Sequence, residues 1–373
     1  MRASFARAAT KREEVGMGYP YVVFAGRHFA GETMHSPSPS LRLALLLAGA
    51  MIAGGTSAGA TTRPSARMPA MNTAVDPPGE LLERVLQQPA LVAVAHQVQG
   101  LEYWPIVPHG SSKPRTITKK LNLGYSSLVA KGELIYAATG NPPEVLVYDI
   151  KTRTQGTMAD PFGAPIDIAI GKDSSLYVIN DVKANGNVAW YPKGSGPAQE
   201  LTCKYIDVGE AIAVDNEGDI FVAGYEKGNS AGVIEIPNGP SGPQSGTCKR
   251  LRLIPGDTPA GLAIEPKSDS LLTLENPDQC AGGDEGQMTI YPKPYLPTTA
   301  VVVQLGGNCT GGLRLNADST MVFYGDESVS GGFTYIDAST YPRGKHLGVY
   351  SEGGSFGGQG PSGFTTVPNT LPN

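Results

Sequence analysis

Charge and histidine are both scarce in this chain. Only 17% of its 373 residues are Asp, Glu, Lys or Arg, and it has 5 histidines and 2 tryptophans. No block of Lys and Arg appears after residue 120, and the formal net charge is −5, so a nucleic-acid footprint is not expected. No G-x-S-x-G elbow, H-E-x-x-H pair or Walker loop occurs, which removes the usual marks of serine hydrolases, zincins and nucleotide-phosphate binding. C-x-x-C zinc spacing is absent, and so is a D-x-D-x-D-G calcium loop. No helical repeat is visible either.

Glycine (48) and proline (31) are what the chain has in abundance. Together with a hydrophobic fraction of 40% they suit many short strands joined by tight turns around a sizeable core. The first 60 residues stand apart from that pattern. Arg42 precedes an uncharged apolar run, Leu43 to Ile52, and small residues follow as far as Ala58-Gly59-Ala60, an A-x-A cleavage form. Met34 is a natural start for such a peptide, so 34–60 reads as a signal peptide and 1–33 as a non-native or disordered extension. An uncleaved anchor is the rival reading of the same run. Residues 61–89 read as a polar, proline-containing linker with room for one short helix, GELLERVLQQ.

From residue 90 a unit recurs. IAIGKDSSLYVIND (168–181), IAVDNEGDIFVAGY (212–225), LAIEPKSDSLLTLEN (262–276) and LRLNADSTMVFYGD (313–326) each alternate apolar residues, cross a polar turn and resume an apolar run. A third strand follows, as in VAWYP (188–192) and MTIYP (288–292), and then a more polar fourth. Third-strand residues fall at Tyr103, Tyr148, Tyr191, Ile236, Tyr291 and Ile336, a period of about 45 residues that marks four-stranded β-propeller blades. Whole units fit 119–163, 164–207, 208–257, 258–307 and 308–354. The C-terminal GPSGFTTVPN (360–369) resembles only a first strand, and 91–118 supplies a second, third and fourth. The expected fold is therefore all-β, a six-bladed propeller over 90–373 whose closing blade takes one strand from the C-terminus and three from the N-terminus. Such a clasp pairs an otherwise open sheet edge.

The units resemble those of NHL-type and streptogramin-lyase-like six-bladed propellers. More closely, TPAGLAIEP (258–266), GEAIAVDNEGDIFVAG (209–224) and VAWYP are similar to repeats of exported bacterial proteins of that kind. The resemblance covers residues 90–369 and implies fold more than activity, because such propellers include enzymes, binding modules and scaffolds.

Loops between second and third strands share a face with the blade-to-blade connections in this topology. They gather Asp181, Glu226, Glu275, Asp278, Asp284, Glu285, Asp326 and Glu327, with Asn141, Asn180 and Asn276. Asn180, Asp181, Tyr225, Glu226, Glu275, Asn276 and Asp326 are the expected ligand-binding residues. Ca²⁺ prefers several oxygen ligands, so Glu275 and Asp326 are weak metal candidates, in outline like gluconolactonase-type lactonases; otherwise no cofactor is expected. Beyond residue 60 the histidines are His96, His109 and His346, and a lyase reaction would want one basic histidine on the ligand face. His96 is the weak catalytic candidate, because it alone falls in a second-to-third-strand loop.

The cysteines are Cys203, Cys248, Cys280 and Cys309, and four allow three pairings. Cys280–Cys309 is the preferred bridge, since both lie in segments of the ligand face. Cys203 and Cys248 sit at matching outer-strand positions of adjacent blades, where a bridge is expected to be strained unless a strand end bends. The expected function is a secreted, periplasmic or cell-envelope monomer that binds a protein, glycan or small molecule without catalysis, and with no membrane span after signal cleavage. A metal-dependent lyase or lactonase is the alternative.

Overall fold

The computed structural model describes residues 89–367 except 96–99, 107–114, 119–125, 141, 182–185, 227–230, 252, 254–257, 277–285, 306–309, 328–332 and 351–362. The readings of 1–33 and 34–60, and of 61–89 up to Pro89, lie outside the described residues. The ring belongs to a compact unit spanning Arg67–Asn373.

Six four-stranded antiparallel sheets form the blades. Blade 1 runs Ser126–Lys131, Leu134–Gly140, Pro143–Asp149, Thr154–Ala159, and blade 2 runs Ala164–Ile170, Leu176–Asp181, Asn187–Tyr191, Gln199–Thr202. Blade 3 comprises Ile206–Val214, Ile220–Glu226, Ala231–Ile236 and Lys249–Leu251; blade 4 comprises Thr258–Glu265, Ser270–Asn276, Gln287–Tyr291 and Val301–Gln304. Blade 5 holds Thr310–Leu315, Met321–Glu327, Phe333–Thr340 and His346–Tyr350. Blade 6 is the expected composite. Phe364–Val367 is its inner strand and pairs Ala90–Ala95, with Ala90 opposite Val367 and Ala93 opposite Phe364. Gly100–Pro105 and Arg115–Thr118 complete it.

Period-two alternation sends successive side chains of a strand to opposite faces of its sheet. Here both faces are apolar, because each blade is covered by a neighbour on either side. The core accordingly divides into six clusters, one at each blade junction. The recurrent aromatic-proline string has its explanation in this division. Trp104, Tyr191, Ile236 and Tyr291 each directly precede a proline and each is fully buried. All four pack in the cluster shared with the preceding blade. The proline then ends the outward run, since it has no N–H to give a ladder.

The Cys203–Cys248 pair corrects the expectation of strain. These two are bridged, with Cα atoms 5.8 Å apart, and they tie blade 2 to blade 3. The strand ends are not equivalent, because the connection preceding Lys249 folds back over blade 2. Gly246 N–H donates to the Thr202 carbonyl at 2.9 Å, and Thr202 N–H donates to Ser245 Oγ at 3.0 Å. Within the same connection Gly242 packs so closely on Trp190 that an added Cβ would lie 2.7 Å from its ring. Cys280 and Cys309 lie outside the described residues, and with them the preferred bridge.

Candidate functional site

In a ring of this kind the inner strands line the axis, and their sequence decides what the axis can do. Among the described residues four inner strands carry a register shift at the same level, between Pro165 and Asp167, Gly209 and Ala211, Pro259 and Gly261, and Gly311 and Leu313, and that of blade 3 carries a second between Ile206 and Val208. A bulge of this sort bends a strand and re-aims its side chains. It also brings backbones close together: a Cβ on Gly261 would sit 3.0 Å from the backbone of Gly312 in the next blade.

Below the bulges the axis is apolar. A cavity of about 80 Å³ is lined by Val129, Ile168–Ile170, Ile212–Val214, Leu262–Ile264, Leu313 and Leu315, with Arg314 as its one charged residue. Arg314 reaches from blade 5 across the axis. Its Nη2 donates to Asp167 Oδ1 at 3.0 Å, to Ser127 Oγ at 3.1 Å and to the Leu128 carbonyl at 3.2 Å. Asp167 is buried and fully engaged. Oδ1 accepts the Ile168 N–H at 2.8 Å and the Ser127 hydroxyl, and Oδ2 accepts the Ile212 N–H of blade 3 at 3.0 Å. Four blades thus meet at one ion pair. The guanidinium has its counter-charge in Asp167, while its Nε is buried without a hydrogen-bond partner.

The sequence-predicted residues divide by position. Register places Asp181 opposite Ala164, Glu226 opposite Ile206, Asn276 opposite Thr258 and Asp326 opposite Thr310. The structure therefore brings these second-strand ends to one face of the ring, beside the starts of the inner strands. The side chains of Asp181, Glu226, Asn276 and Asp326 lie outside the described residues, as do His96 and most loops of this connection face. Tyr225 is half-buried, and pairs with Val208 and Ala231. Glu275 is buried, and accepts Thr273 Oγ1 at 2.9 Å and Gln287 Nε2 at 3.3 Å.

Asn180 is 0% exposed. Its amide donates to both Asp160 oxygens at 3.3 Å and to Asn187 Oδ1 at 3.2 Å, while its own Oδ1 has no partner. Asp160 is buried too, and burial holds its carboxyl above the usual range despite bonds from the Phe162 amide, Asn180 and Tyr191. A carboxyl raised in the folded state binds its proton more tightly there than in the unfolded chain. The contribution of this group to stability is then full at acid pH and is lost as pH rises from the ordinary carboxylate range through the raised value. Asp160→Asn should therefore raise the stability of the protein at neutral pH relative to its stability at acid pH. Denaturant melts of both proteins across the pH range should converge below the ordinary carboxylate range.

The opposite face carries a cluster that sequence reading missed. Asp215 Oδ1 accepts the amides of Glu217 at 3.0 Å and Asp219 at 2.9 Å, and Oδ2 accepts Lys293 Nζ and the Tyr295 hydroxyl, both at 3.2 Å. Lys293 also meets Glu217 at 3.1 Å and Asp269 at 3.8 Å. Asp215, Glu217 and Asp219 offer oxygens within 4.8 Å of one another, a spacing that could hold a metal ion. The Lys293 ammonium already pairs with two of these three carboxylates, Asp215 and Glu217. Burial disfavours its charge, but the Glu217 bond and the Asp215 charge outweigh this and raise its pKa. The run Asp215-Asn216-Glu217-Gly218-Asp219 is legible in the sequence; Lys293, 78 residues on, is not. His346 pairs with Asp337 at 2.9 Å at the rim of blade 5.

No known family model matches this chain, and no curated protein sequence matches it. Solved structures do share its fold. A chain of the nidogen–laminin complex aligns over 74% of this chain and 98% of its own, with a TM-score of 0.56 and 13% identity. TolB from Acinetobacter baumannii aligns over 76% of this chain and 68% of its own, with a TM-score of 0.54 and 15% identity. The protein is a six-bladed β-propeller. At these identities the likeness is one of fold alone.

Proposed function

We propose that this protein is an exported binding propeller. It belongs with the NHL and streptogramin-lyase-like propellers its repeats resemble, and takes a protein, glycan or small molecule on its connection face without catalysing a reaction. One observation carries this reading. Among the described residues the cavity at the axis, where a propeller lyase or lactonase would gather its carboxylates and histidine, is lined by aliphatic side chains and by Arg314, whose counter-charge is Asp167. That ion pair fastens blades together and leaves the loops on the connection face as the variable part of a rigid ring. A Cys203–Cys248 disulfide and a signal-like segment at 34–60 agree with an oxidising, exported setting.

Two measurements on residues 61–373, which contain all six sheets, test the proposal. Calorimetric titration of Ca²⁺, Mg²⁺ and Zn²⁺ into metal-stripped protein should give no tight site on the connection face. Tight one-site binding that disappears in Glu275→Ala or Asp326→Ala would overturn the non-catalytic reading in favour of the metal-dependent lyase or lactonase. Glycan and peptide arrays should give ligands whose binding weakens at least tenfold in Tyr225→Ala or Asp326→Ala and is unchanged in Glu217→Ala on the opposite face. The reverse pattern would place recognition elsewhere.

A further inference from the structure

Each half of the Cys203–Cys248 bridge is followed in the chain by cations, Lys204 in one case and Lys249-Arg250 in the other. Lys204 Nζ lies 4.9 Å from the centre of the Tyr205 ring, and the Arg250 guanidinium lies 4.7 Å from it. The Tyr205 N–H donates to Cys203 Sγ at 3.4 Å. Tyr205, Cys248 and Trp190 pack, partly buried, on the core cluster that contains Cys203. Lys249 is held by the buried Glu235 at 2.6 Å, whereas Lys204 and Arg250 stand at the surface over the Tyr205 ring. Cations and an N–H donor beside a sulfur stabilise its thiolate, and a more stable leaving thiolate speeds thiol–disulfide exchange.

The bridge fastens an exposed strap. Residues 238–248 leave the third strand of blade 3, cross to blade 2 and return to Lys249. None of them is buried. Apart from the bridge, the strap holds blade 2 through the Gly246 and Ser245 bonds to Thr202 and through Gly242 on Trp190. Hydrogen bonds of this kind contribute about 0.5–1.5 kcal/mol each, so the covalent link is the main restraint. Trp190 Nε1 is buried there without a partner, a cost that release of the strap would relieve.

We propose that Cys203–Cys248 is a redox-modification site, a bridge with which thiols exchange in the folded protein to release the strap from blade 2. A thiolate attacks Cys248 Sγ, the less buried of the two sulfurs. The S–S bond breaks, and its electron pair leaves on Cys203 Sγ beside the Tyr205 N–H. A second thiolate then displaces the mixed disulfide. Two reductant thiols are consumed, their protons pass to the two cysteine sulfurs, and one reductant disulfide forms, a transfer of two electrons. A peptide thiol bearing carboxylates fits the cations at this site. Opening uncovers Trp190 and the outer edge of blade 2 at Thr202, while the blades keep their own ladders.

Glutathione titrated into residues 61–373 tests this, with alkylation and mass spectrometry reading Cys203 and Cys248 apart from Cys280 and Cys309. Both thiols should appear without denaturant, with a urea melt that stays cooperative and Trp190 emission shifted to the red. Trp190→Phe should abolish the shift, since Trp104 is fully buried. Cys203→Ser with Cys248→Ser should show the shifted emission with no reductant present. Lys204→Gln with Arg250→Gln should slow reduction by glutathione at least tenfold, and by a smaller factor with uncharged mercaptoethanol. A bridge that opens only in denaturant overturns the proposal. So does reduction that leaves Trp190 emission unchanged, or a rate unaltered in the cation variant.

Discussion

Removing residues 356–373 should abolish cooperative folding of the ring, although no enclosed blade loses a residue. The deleted segment contains Phe364–Val367, the inner strand of blade 6. Phe364 is buried in the cluster shared by blades 5 and 6, and Val367 in the one shared by blades 6 and 1. Burying each side chain contributes about 1.5–3 kcal/mol. Their loss comes with that of the ladder to Ala90–Ala93 and of the Thr366 hydroxyl bond to the Leu315 carbonyl at 2.7 Å. Leu91 and Val92, both fully buried, would then lie on a strand whose inner edge has lost its ladder. The sum is comparable with the whole stability of an ordinary domain, about 5–15 kcal/mol. Urea melts should show a broad transition with a reduced slope, and the peptide 356–373 added in trans should restore a sharp one. A truncated chain that melts as steeply as the intact one, within a few degrees, would show that the clasp is dispensable.

Arg314→Met should cost about 3–5 kcal/mol, the penalty of leaving one partner of a buried ion pair. The arginine side chain is 16% exposed and the Asp167 side chain 9%, so water does little to replace the lost partner. Asp167 would keep the Ile168 and Ile212 amides and the Ser127 hydroxyl but lose its counter-charge. The single change Asp167→Asn should cost a comparable amount, because it leaves the Arg314 guanidinium without its counter-charge and sets an amide NH2 against a donor. The double variant should recover much of the Arg314→Met loss, giving a coupling energy well above the scatter of independent sites. Additive losses in chemical denaturation would mean that the guanidinium acts through packing rather than charge.

Much of the fold was legible in the chain because it is local and repeated. Alternation, polar turns and prolines recur at a fixed period, and each expected unit holds one four-stranded sheet. The composite blade could be read from an arithmetic remainder: one orphan first strand at 360–369 and three strands before residue 119 that lacked one. The direction of the second-strand ends, Asp181, Glu226, Asn276 and Asp326, follows from topology in the same way, whatever their side chains do.

The axis could not be read so. Arg314 looks like any outward residue of LRLN until the ring closes, and Asp167 lies 147 residues away. Lys293 and Asp215 meet across adjacent blades for the same reason. Cys203 and Cys248 sit at corresponding repeat positions, and only the fold-back of the connection before Lys249 makes them neighbours. The sequence by itself determined the period, the number of blades and how the ring closes, because hydrogen-bonded hairpins and alternating burial are decided over a few tens of residues. The tertiary structure alone decided which side chains meet at the axis and which cysteines pair, because those depend on blades brought together by closure.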